Sequence, residues 1–538
     1  MMMTKERAIL KAKEKFQDLL VLVEAASDEQ LRIDEVERSL FAELLALGLQ
    51  LLSAFVAAAG KGDEGTKVKH NGKTLKRMPK SDKRYVSIFG ELAIDRYVYA
   101  ARKGSKIEYR PLDAQLGLPE AEISYVLEDW LNRLSVKEAF EEGCASLETL
   151  LGLKIGVHTA ERLNQRLAAY AESFRDGQAS PVEEDEAILV VTADGKGVPM
   201  QREKPQRSAE SVAETKPKSK SESKSSSESE SKSSSESQSQ SQSKSDPSSA
   251  SDTSDADAGK PRRRRRGKGE KANPKRMAYV GAVYSIAPFE RTTNDVMDEV
   301  ARRESAARRP RPCGKRVWAE LNEPPDQPAD AESGHGREKL FARLAVEAQQ
   351  RNRLRKKPLV CLMDGEAKLW KMQAKWLPRA IGVLDFWHVS ERMWTVAHVF
   401  HAEESPEAEA FVERRLRMLL DGKVGYVLRD LRRLRKTRKL TKAKRDVLDS
   451  AITYFENNQQ HMRYGEYLAA GYPIGSGVIE GACRHLINDR MEQAGMKWRP
   501  RGAQAMLRTR SLYLNGDWDA FLSHRINTEQ HCLYSKAA

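Results

Sequence analysis

The sequence predicts an α/β protein: a mixed-sheet core with a helical insertion, preceded by a mainly helical N-terminal region with a short β-hairpin. Three observations predict this fold class. Helical periodicity fills the first sixty residues. Short apolar runs, each closed by an aspartate, then alternate with helical segments. A long, strongly basic helical stretch separates the last of these runs from a final helical segment that carries a glutamate.

The composition favours a polyanionic partner. The chain has 538 residues, a net charge of +14 and a pI of about 9.3, a basic balance typical of proteins that bind nucleic acid or an anionic membrane. None of its five cysteines form a Cys-x-x-Cys pair, which excludes a zinc ribbon and indicates a reducing cytoplasm. The apolar stretch from Leu40 to Ala59 is interrupted by Glu43, Gln50 and Ser53, so we predict a core or dimer-forming helix rather than a membrane partner.

The N-terminal half contains a strand pattern and a pair of helices. Alternating apolar residues from Arg84 to Tyr99, with Gly90 near the middle, predict a β-hairpin or a bent strand. Two helices follow, separated at 152–156, and Thr159 is the expected N-cap of the second. This layout fits a helix-turn-helix and an ordinary helical hairpin equally well. The DNA-contact candidates on the second helix are Arg162, Gln165 and Arg166.

Three apolar runs end in aspartates. Residues 187–191 predict a strand that is buried on both faces and gives way to a loop at Asp194. The run 358–363 ends at Asp364, and the run 380–384 ends at Asp385, after which a helix carries His388. A glycine-rich segment near 475 then opens the helix that contains Glu480.

Residues 203–272 have the composition of a disordered insert. They are rich in Ser, Lys and Glu and end in a run of arginines that includes Arg262, Arg263 and Arg264. The run could belong to a solvated linker, to a phosphate-binding arm that is insensitive to DNA sequence, or to a nuclear-targeting signal.

The predicted organisation follows from these elements. It comprises a helical segment suited to dimerisation (1–75), a hairpin and DNA-binding region (76–180), the first part of the core (181–202), the insert (203–272), the continued core (273–394), the basic helical insertion (395–470), the final core helices (471–525) and a tail (526–538).

The order of carboxylates along the chain is that of an RNase H-like domain, in which the first and fourth strands are parallel neighbours. Two carboxylates about 4 Å apart repel by roughly 4 kcal/mol at an effective dielectric of about 20, so a cation between them is favoured. Oxygen ligands suit Mg²⁺ or Mn²⁺, and two such ions can assist phosphodiester chemistry. We therefore predict Asp194, Asp364 and Glu480 as catalytic metal ligands, with Asp385 and His388 in support.

Each predicted ligand also has an ordinary structural explanation. An Asp-Gly pair after a strand is a common turn, which would account for Asp194 and Asp364 separately. Glu480 would favour a helix N-terminus and pair with Arg484. Asp385 is a rival for one of the ligand positions. The ordered set, rather than any one member, carries the prediction.

Five segments resemble the ISKra4 family of bacterial insertion-sequence transposases. The segments 191–200, 361–365 and 475–485 resemble the three carboxylate motifs of that family, and 111–119 resembles its N-terminal region. The segment 384–391 resembles its Asp-x-x-His segment, which is also similar to one in Mutator-like transposases. The resemblance spans about 84–518 and implies an RNase H-like core with DDE chemistry.

The resemblance implies a DNA transposase that hydrolyses phosphodiesters at transposon ends and joins the 3′-hydroxyl to target DNA. The implied partners are terminal inverted repeats, target DNA and further copies of the chain, in the cytoplasm of a bacterium at its nucleoid, with no small-molecule substrate. Lys497 and Trp498 are added as DNA-contact candidates. Two alternatives remain: a catalytically inactive DNA-binding protein derived from a transposase, and another RNase H-like nuclease.

Overall fold

The computed structural model describes residues 5–178, 187–201, 275–303, 309–322, 335–493 and 495–534. The predicted insert at 203–272, with Arg262, Arg263 and Arg264, lies outside the described residues.

The chain begins with two long helices that pack against each other, α1 (Lys5–Asp28) and α2 (Ile33–Ala58). The predicted helical N-terminal region is thus confirmed. Few side chains of the pair are buried, and both helices expose apolar residues such as Phe16 and Phe55. By length and composition α2 could cross a membrane, a criterion that core helices of soluble proteins also meet.

Five short strands follow the helical pair. The predicted hairpin is confirmed: Ser87 pairs with Gly90, which has a φ of +131° that favours glycine at this turn. A small three-stranded sheet beside it was not predicted. The strands are β1 (Lys67–His70), β2 (Lys73–Arg77), β3 (Ser81–Ser87), β4 (Gly90–Arg96) and β5 (Tyr99–Ala100).

A group of helices links this region to the central sheet. The predicted break at 152–156 is confirmed, but the N-cap of the second helix is Gly156 rather than Thr159, which lies within the first turn. The helices are α3 (Pro111–Leu116), α4 (Tyr125–Ser135), α5 (Phe140–Leu151), α6 (Val157–Ala168) and α7 (Ala171–Asp176).

The central sheet has five strands in the order β10-β9-β6-β7-β8. Neighbours β6–β7 and β7–β8 are antiparallel, whereas β6–β9 and β9–β10 are parallel. A mixed sheet is thus confirmed. The strands are β6 (Ile188–Pro199), β7 (Lys275–Ile286), β8 (Cys313–Leu321), β9 (Leu359–Met363) and β10 (Ile381–Leu384).

Strand β6 is longer than predicted. We expected it to give way to a loop at Asp194, but it continues to Pro199 and pairs with β7 along its whole length. Gly195 and Gly197 lie close to the side chains of Met277 and Lys275 on β7. Long-range pairing therefore satisfies the backbone here and outweighs the local tendency of Asp-Gly to form a turn.

Both faces of the sheet are covered by helices. On one face, Val190 and Leu362 pack against α11 and the helical insertion, while Val191 and Cys361 on the other face pack near α9 and α10. The helices before the insertion are α8 (Thr293–Val300), α9 (His335–Arg351), α10 (Ala367–Trp376) and α11 (Phe386–Phe400). The insertion contains α12 (Pro406–Leu420), α13 (Val424–Thr437), α14 (Lys442–Asn458), a 3-10 turn (Gln459–His461) and α15 (Tyr464–Ala469).

The last helices return to the sheet and to the N-terminal region. Helix α18 packs against both α6 and β8. The segment expected to be a tail from residue 526 is helical as far as Tyr534. These helices are α16 (Gly477–Cys483), a π-helical turn (Arg484–Asn488), α17 (Asp489–Met491), α18 (Pro500–Leu514) and α19 (Trp518–Tyr534).

Buried ion pairs join α19 to α4. The Arg525 side chain is 1% exposed, and its guanidinium lies 2.7 Å from a carboxylate oxygen of Glu128 and 2.8 Å from one of Glu529. Burying three charged groups is costly unless they are paired, so this network ties the C-terminal helix to the N-terminal region.

Candidate active site

The pairing of β6 with β9 brings two predicted ligands side by side. Ala193 pairs with Met363 in a parallel register, and Asp194 and Asp364 are the residues that directly follow this pair. Side chains alternate between the two faces of a sheet, so Asp194 and Asp364 lie on the same face as Val190 and Leu362, the face that packs against α11. The predicted adjacency of these strands is therefore confirmed.

The Asp194 carboxylate is half-buried and only partly hydrogen-bonded. One of its oxygens accepts a hydrogen bond of 2.6 Å from the backbone N–H of Gly195, and the other lies 3.4 Å from the Cys483 thiol, which donates weakly. Burial, followed by the charge of Asp364, raises the pKa of Asp194. Lone pairs of Asp194 thus remain for a cation, which would also relieve the repulsion.

Asp364 is held through its backbone. The Tyr454 hydroxyl, from the helical insertion, donates a hydrogen bond of 2.7 Å to the Asp364 carbonyl oxygen. Gly365 has a φ of +98°, and a Cβ atom there would lie 2.9 Å from both Leu384 and Tyr454. The backbone therefore requires glycine at position 365, directly after Asp364. An oxygen of the Asp364 side chain also accepts a hydrogen bond of 3.0 Å from the Glu366 N–H.

Glu480 lies in the first turn of α16, which packs across β6 and β7. Burial raises the pKa of Glu480, and the charges of Asp385, Glu391 and Asp194 act in the same direction. The third predicted ligand is therefore within electrostatic range of the first, although they lie almost three hundred residues apart in sequence.

Glu480 also forms a close group with the two predicted supporting residues. Ligand atoms of Asp385, His388 and Glu480 all lie within 4.8 Å of one another, a spacing that could hold a metal ion. In the part of the chain that the structure describes, Asp194, Asp364 and Glu480 do not form such a group. A single ion shared by all three of these carboxylates is therefore not favoured by this geometry.

Asp385 is already fully engaged by the protein. It is 0% exposed, and one oxygen accepts the N–H groups of Trp387 (2.6 Å) and His388 (3.4 Å). The other oxygen accepts the N–H of Ser476 (2.8 Å) and the Ser476 hydroxyl. These four donors fill the four lone-pair positions of a carboxylate, so we assign Asp385 to positioning rather than to metal binding.

His388 remains accessible. Its side chain is 39% exposed, and its Nδ1 lies 3.4 Å from a carboxylate oxygen of Glu391 on the next turn of α11. The imidazole is therefore partly open to solvent, and its supporting role stays a prediction.

Three residues near the carboxylates were not singled out from the sequence. Cys483 and Tyr454 contact Asp194 and Asp364 as described above. Glu366 is half-buried two residues after Asp364, and burial raises its pKa. Its carboxylate lies 3.5 Å from the Tyr279 hydroxyl and 4.0 Å from the Arg337 guanidinium. For Glu366, the sequence offered one signal, namely an acidic residue two positions after Asp364. For Cys483 and Tyr454 it offered none.

The predicted DNA-contact residues differ in how exposed their side chains are. Arg162, Gln165 and Lys497 are exposed. Arg166 is partly buried and lies 3.4 Å from Glu529 of α19. Trp498 is 6% exposed, and its indole N–H donates a hydrogen bond of 3.1 Å to the Met491 carbonyl. The prediction of a DNA contact is therefore wrong for the Trp498 side chain, which belongs to the core. Arg262, Arg263 and Arg264 lie outside the described residues.

No protein-family model matches the chain, and neither does any curated protein.

Proposed function

We propose that this protein is a metal-dependent DNA transposase of the DDE type, with an RNase H-like core in which Asp194, Asp364 and Glu480 hold the divalent cations. The sheet order supports that core, because a central strand has an antiparallel neighbour on one side and a parallel neighbour on the other. The motif resemblance to ISKra4 transposases supports the narrower assignment.

One observation carries the proposal. The parallel pairing of β6 and β9 brings Asp194 and Asp364 to the same sheet face, and α16 crosses that face with Glu480. Open α/β sheets place ligands at the carboxyl ends of parallel strands, and the parallel pairing of β6 with β9 ends at Ala193 and Met363, directly before the two aspartates. Carboxylates with raised pKa values at such a position are typical of a cation site, since burying like charges without a counterion is unfavourable.

The donor set fits Mg²⁺ or Mn²⁺. All three proposed ligands are carboxylates, and the nearby His388 imidazole is compatible with Mn²⁺. When bound, two such ions activate a water or a 3′-hydroxyl and stabilise the leaving oxygen of the phosphodiester. Asp194, Asp364 and Glu480 would hold these ions through their carboxylate oxygens. Asp385 fixes the segment that precedes Glu480, and Tyr454 fixes the loop of Asp364.

DNA is the proposed partner. The net charge of +14 favours binding of a polyanion. Divalent cations at the carboxylates would remove the electrostatic repulsion between the acidic site and the DNA phosphates. Exposed basic residues such as Arg162 and Lys497 are candidates for phosphate contacts. Terminal inverted repeats, target DNA and a further copy of the chain are the partners that the resemblance implies, in a bacterial cytoplasm.

The experiment is a cleavage and strand-transfer assay with the full-length protein, Mg²⁺ and DNA that carries the terminal repeats flanking its gene. We expect 3′-end cleavage and joined products with the wild type. Asp194→Asn should abolish both and leave DNA affinity intact. The matched control is Asp446→Asn, which changes an exposed carboxylate of α14 and should cleave like the wild type.

Other outcomes separate the remaining functions. Binding of the repeats without cleavage by the wild type would indicate a DNA-binding protein that has lost catalysis. Cleavage without joined products, and without preference for the repeats, would indicate another RNase H-like nuclease. Cleavage that is unaffected by Asp194→Asn would overturn the assignment of the site.

A further inference from the structure

A cavity of about 520 Å³ opens beside Glu480. It lies between the end of β7, the N-termini of α8 and α11, and the segment 471–478 that leads into α16. Its size falls within the range of small-ligand pockets. The buried side chains of Tyr284, Phe386 and Ile474 contribute apolar surface, and Glu480 forms part of its lining. The cavity is therefore continuous with the proposed active site.

Trp387 forms an aromatic wall of this cavity. A Cβ atom on Gly475 would lie 2.6 Å from the Trp387 Nε1 atom, so the indole packs directly on the backbone at that glycine. The backbone N–H of Trp387 donates a hydrogen bond to the Asp385 carboxylate, which also accepts one from the backbone N–H of Ser476. The wall and the segment leading to Glu480 are thus fixed together. The indole is only half-buried, so part of its surface is left to stack against a ligand.

The lining of the cavity also contains a buried hydrogen-bond donor. The Arg291 side chain is 9% exposed, and its guanidinium carbon lies 5.5 Å from the centre of the Phe289 ring. One of its terminal nitrogens is 3.5 Å from the Tyr472 carbonyl oxygen, whereas its Nε is buried without a hydrogen-bond partner. Glu299, 3.8 Å from this guanidinium, is already paired with Arg309, which also lines the cavity. A flat ligand with apolar faces and an acceptor on its edge would satisfy the Arg291 donor.

We propose that this cavity receives one unstacked nucleobase of the DNA strand whose phosphodiester lies at Asp194, Asp364 and Glu480. The proposal rests on the proposed function. Because Glu480 borders both places, the base of a nucleotide next to the reacting phosphate lies within reach of the cavity. Stacking on Trp387 offsets the cost of taking that base out of the duplex, and Arg291 bonds to an acceptor on its edge.

The test is a double-mutant cycle in which one change is made in the protein and the other in the DNA. We would measure the affinity of the full-length wild type and of Trp387→Ala for terminal-repeat duplexes, with Ca²⁺ in place of Mg²⁺. One duplex is intact, and the others carry a single abasic site at successive positions around the cleaved bond. Trp387→Ala should weaken binding of the intact duplex by about 5- to 150-fold. At one abasic position that penalty should disappear, because no base is left to stack.

Two control variants make the cycle specific. Trp387→Phe keeps an aromatic face and should restore most of the affinity for the intact duplex. Trp394→Ala removes a tryptophan seven residues further along α11 that does not line the cavity, and any penalty should be equal for all the duplexes. An equal penalty for Trp387→Ala at every abasic position would overturn the proposal, because Trp387 would then act only through the fold. No penalty at all would also overturn it.

The two proposals can fail separately. If cleavage depends on Asp194 while the cycle shows no coupling, only the nucleobase cavity is excluded. If Asp194→Asn leaves cleavage unchanged, the proposed active site is wrong whatever the cycle shows. Coupling at an abasic position far from the cleaved bond would exclude an occupant next to the reacting phosphate.

Discussion

The carboxylate of Asp385 accepts a hydrogen bond from the backbone N–H of Ser476 at 2.8 Å and another from the Ser476 hydroxyl. It thereby joins the start of α11 to the segment that leads into α16. In the same place, the Phe386 N–H donates to the Ile474 carbonyl at 2.8 Å. Asp385 thus positions the segment that leads to Glu480, and this role requires no contact between Asp385 and a substrate.

Asp385→Asn should lower Mg²⁺-dependent cleavage by about 10- to 100-fold, the usual effect of altering a partner behind a metal site. The amide has only one acceptor oxygen for the four donors that now meet the carboxylate. We expect the Mg²⁺ concentration needed for half-maximal activity to rise, which a metal titration of the cleavage rate measures. Ser476→Ala should show a smaller change in the same direction. A normal metal titration for Asp385→Asn would contradict the positioning role.

Tyr454 links the helical insertion to the proposed active site. Tyr454→Phe removes the hydrogen bond of 2.7 Å to the Asp364 carbonyl and should destabilise the protein by about 1–3 kcal/mol, because a half-buried acceptor loses its partner. Cleavage should slow while affinity for DNA stays at the wild-type value. Equilibrium denaturation and a binding titration measure the two effects. Tyr426→Phe, at an exposed tyrosine of α13, is the control that should change neither.

Glu128 should give the stability a characteristic pH dependence. Burial raises its pKa above the ordinary value of about 4.5, and the charge of Glu529 adds to this, whereas Arg525 and Arg166 oppose it. The folded protein therefore retains the Glu128 proton at pH values where the unfolded chain has lost it. The contribution of Glu128 to stability thus increases as the pH falls through the raised pKa, and the increase is complete below the ordinary value.

The comparison of wild type with Glu128→Gln isolates this contribution, since the glutamine does not titrate. Denaturant midpoints measured from pH 7 down to pH 4 should show the wild type gaining stability relative to the variant as the pH falls. A difference between the two proteins that is independent of pH, or that changes in the opposite sense, would contradict the raised pKa.

The helical pair α1–α2 should mediate self-association. Both helices expose apolar residues, and a contiguous apolar surface of this kind marks an interaction site. Phe16 and Leu20, one turn apart on α1, are 53% and 43% exposed. Replacing both with glutamate should shift the sedimentation of the full chain from an oligomer to a monomer, with an unchanged circular dichroism spectrum. A monomeric wild type at all concentrations would exclude this interface.

The sequence predicted the parts of the fold that depend on local pattern. The apolar runs before Asp364 and Asp385 are strands because they are continuous, short and closed by residues that leave the sheet. It did not predict that β6 continues past Asp194, since that depends on β7, a partner that follows a long insert. The N-cap is Gly156, three residues before the predicted Thr159, because Val157 and His158 already belong to the helix.

The site was predictable as a set of residue types but not as a set of contacts. The spacing of the aspartates along alternating strands and helices predicted the adjacency of Asp194 and Asp364. Tyr454 and Cys483 reach the site from helices whose positions no local pattern specifies. Trp498 was misassigned because the sequence does not distinguish a surface aromatic side chain from one that packs in the core.

The most direct test of the central claim is the binding of Mn²⁺ to the full-length protein in complex with terminal-repeat DNA, followed by electron paramagnetic resonance. We predict two bound ions per chain for the wild type and for the surface variant Asp446→Asn. Asp194→Asn, Asp364→Asn and Glu480→Gln should each bind fewer Mn²⁺ ions or bind them more weakly, because each variant removes one proposed carboxylate ligand. Wild-type binding of Mn²⁺ by Asp194→Asn would contradict the proposed site.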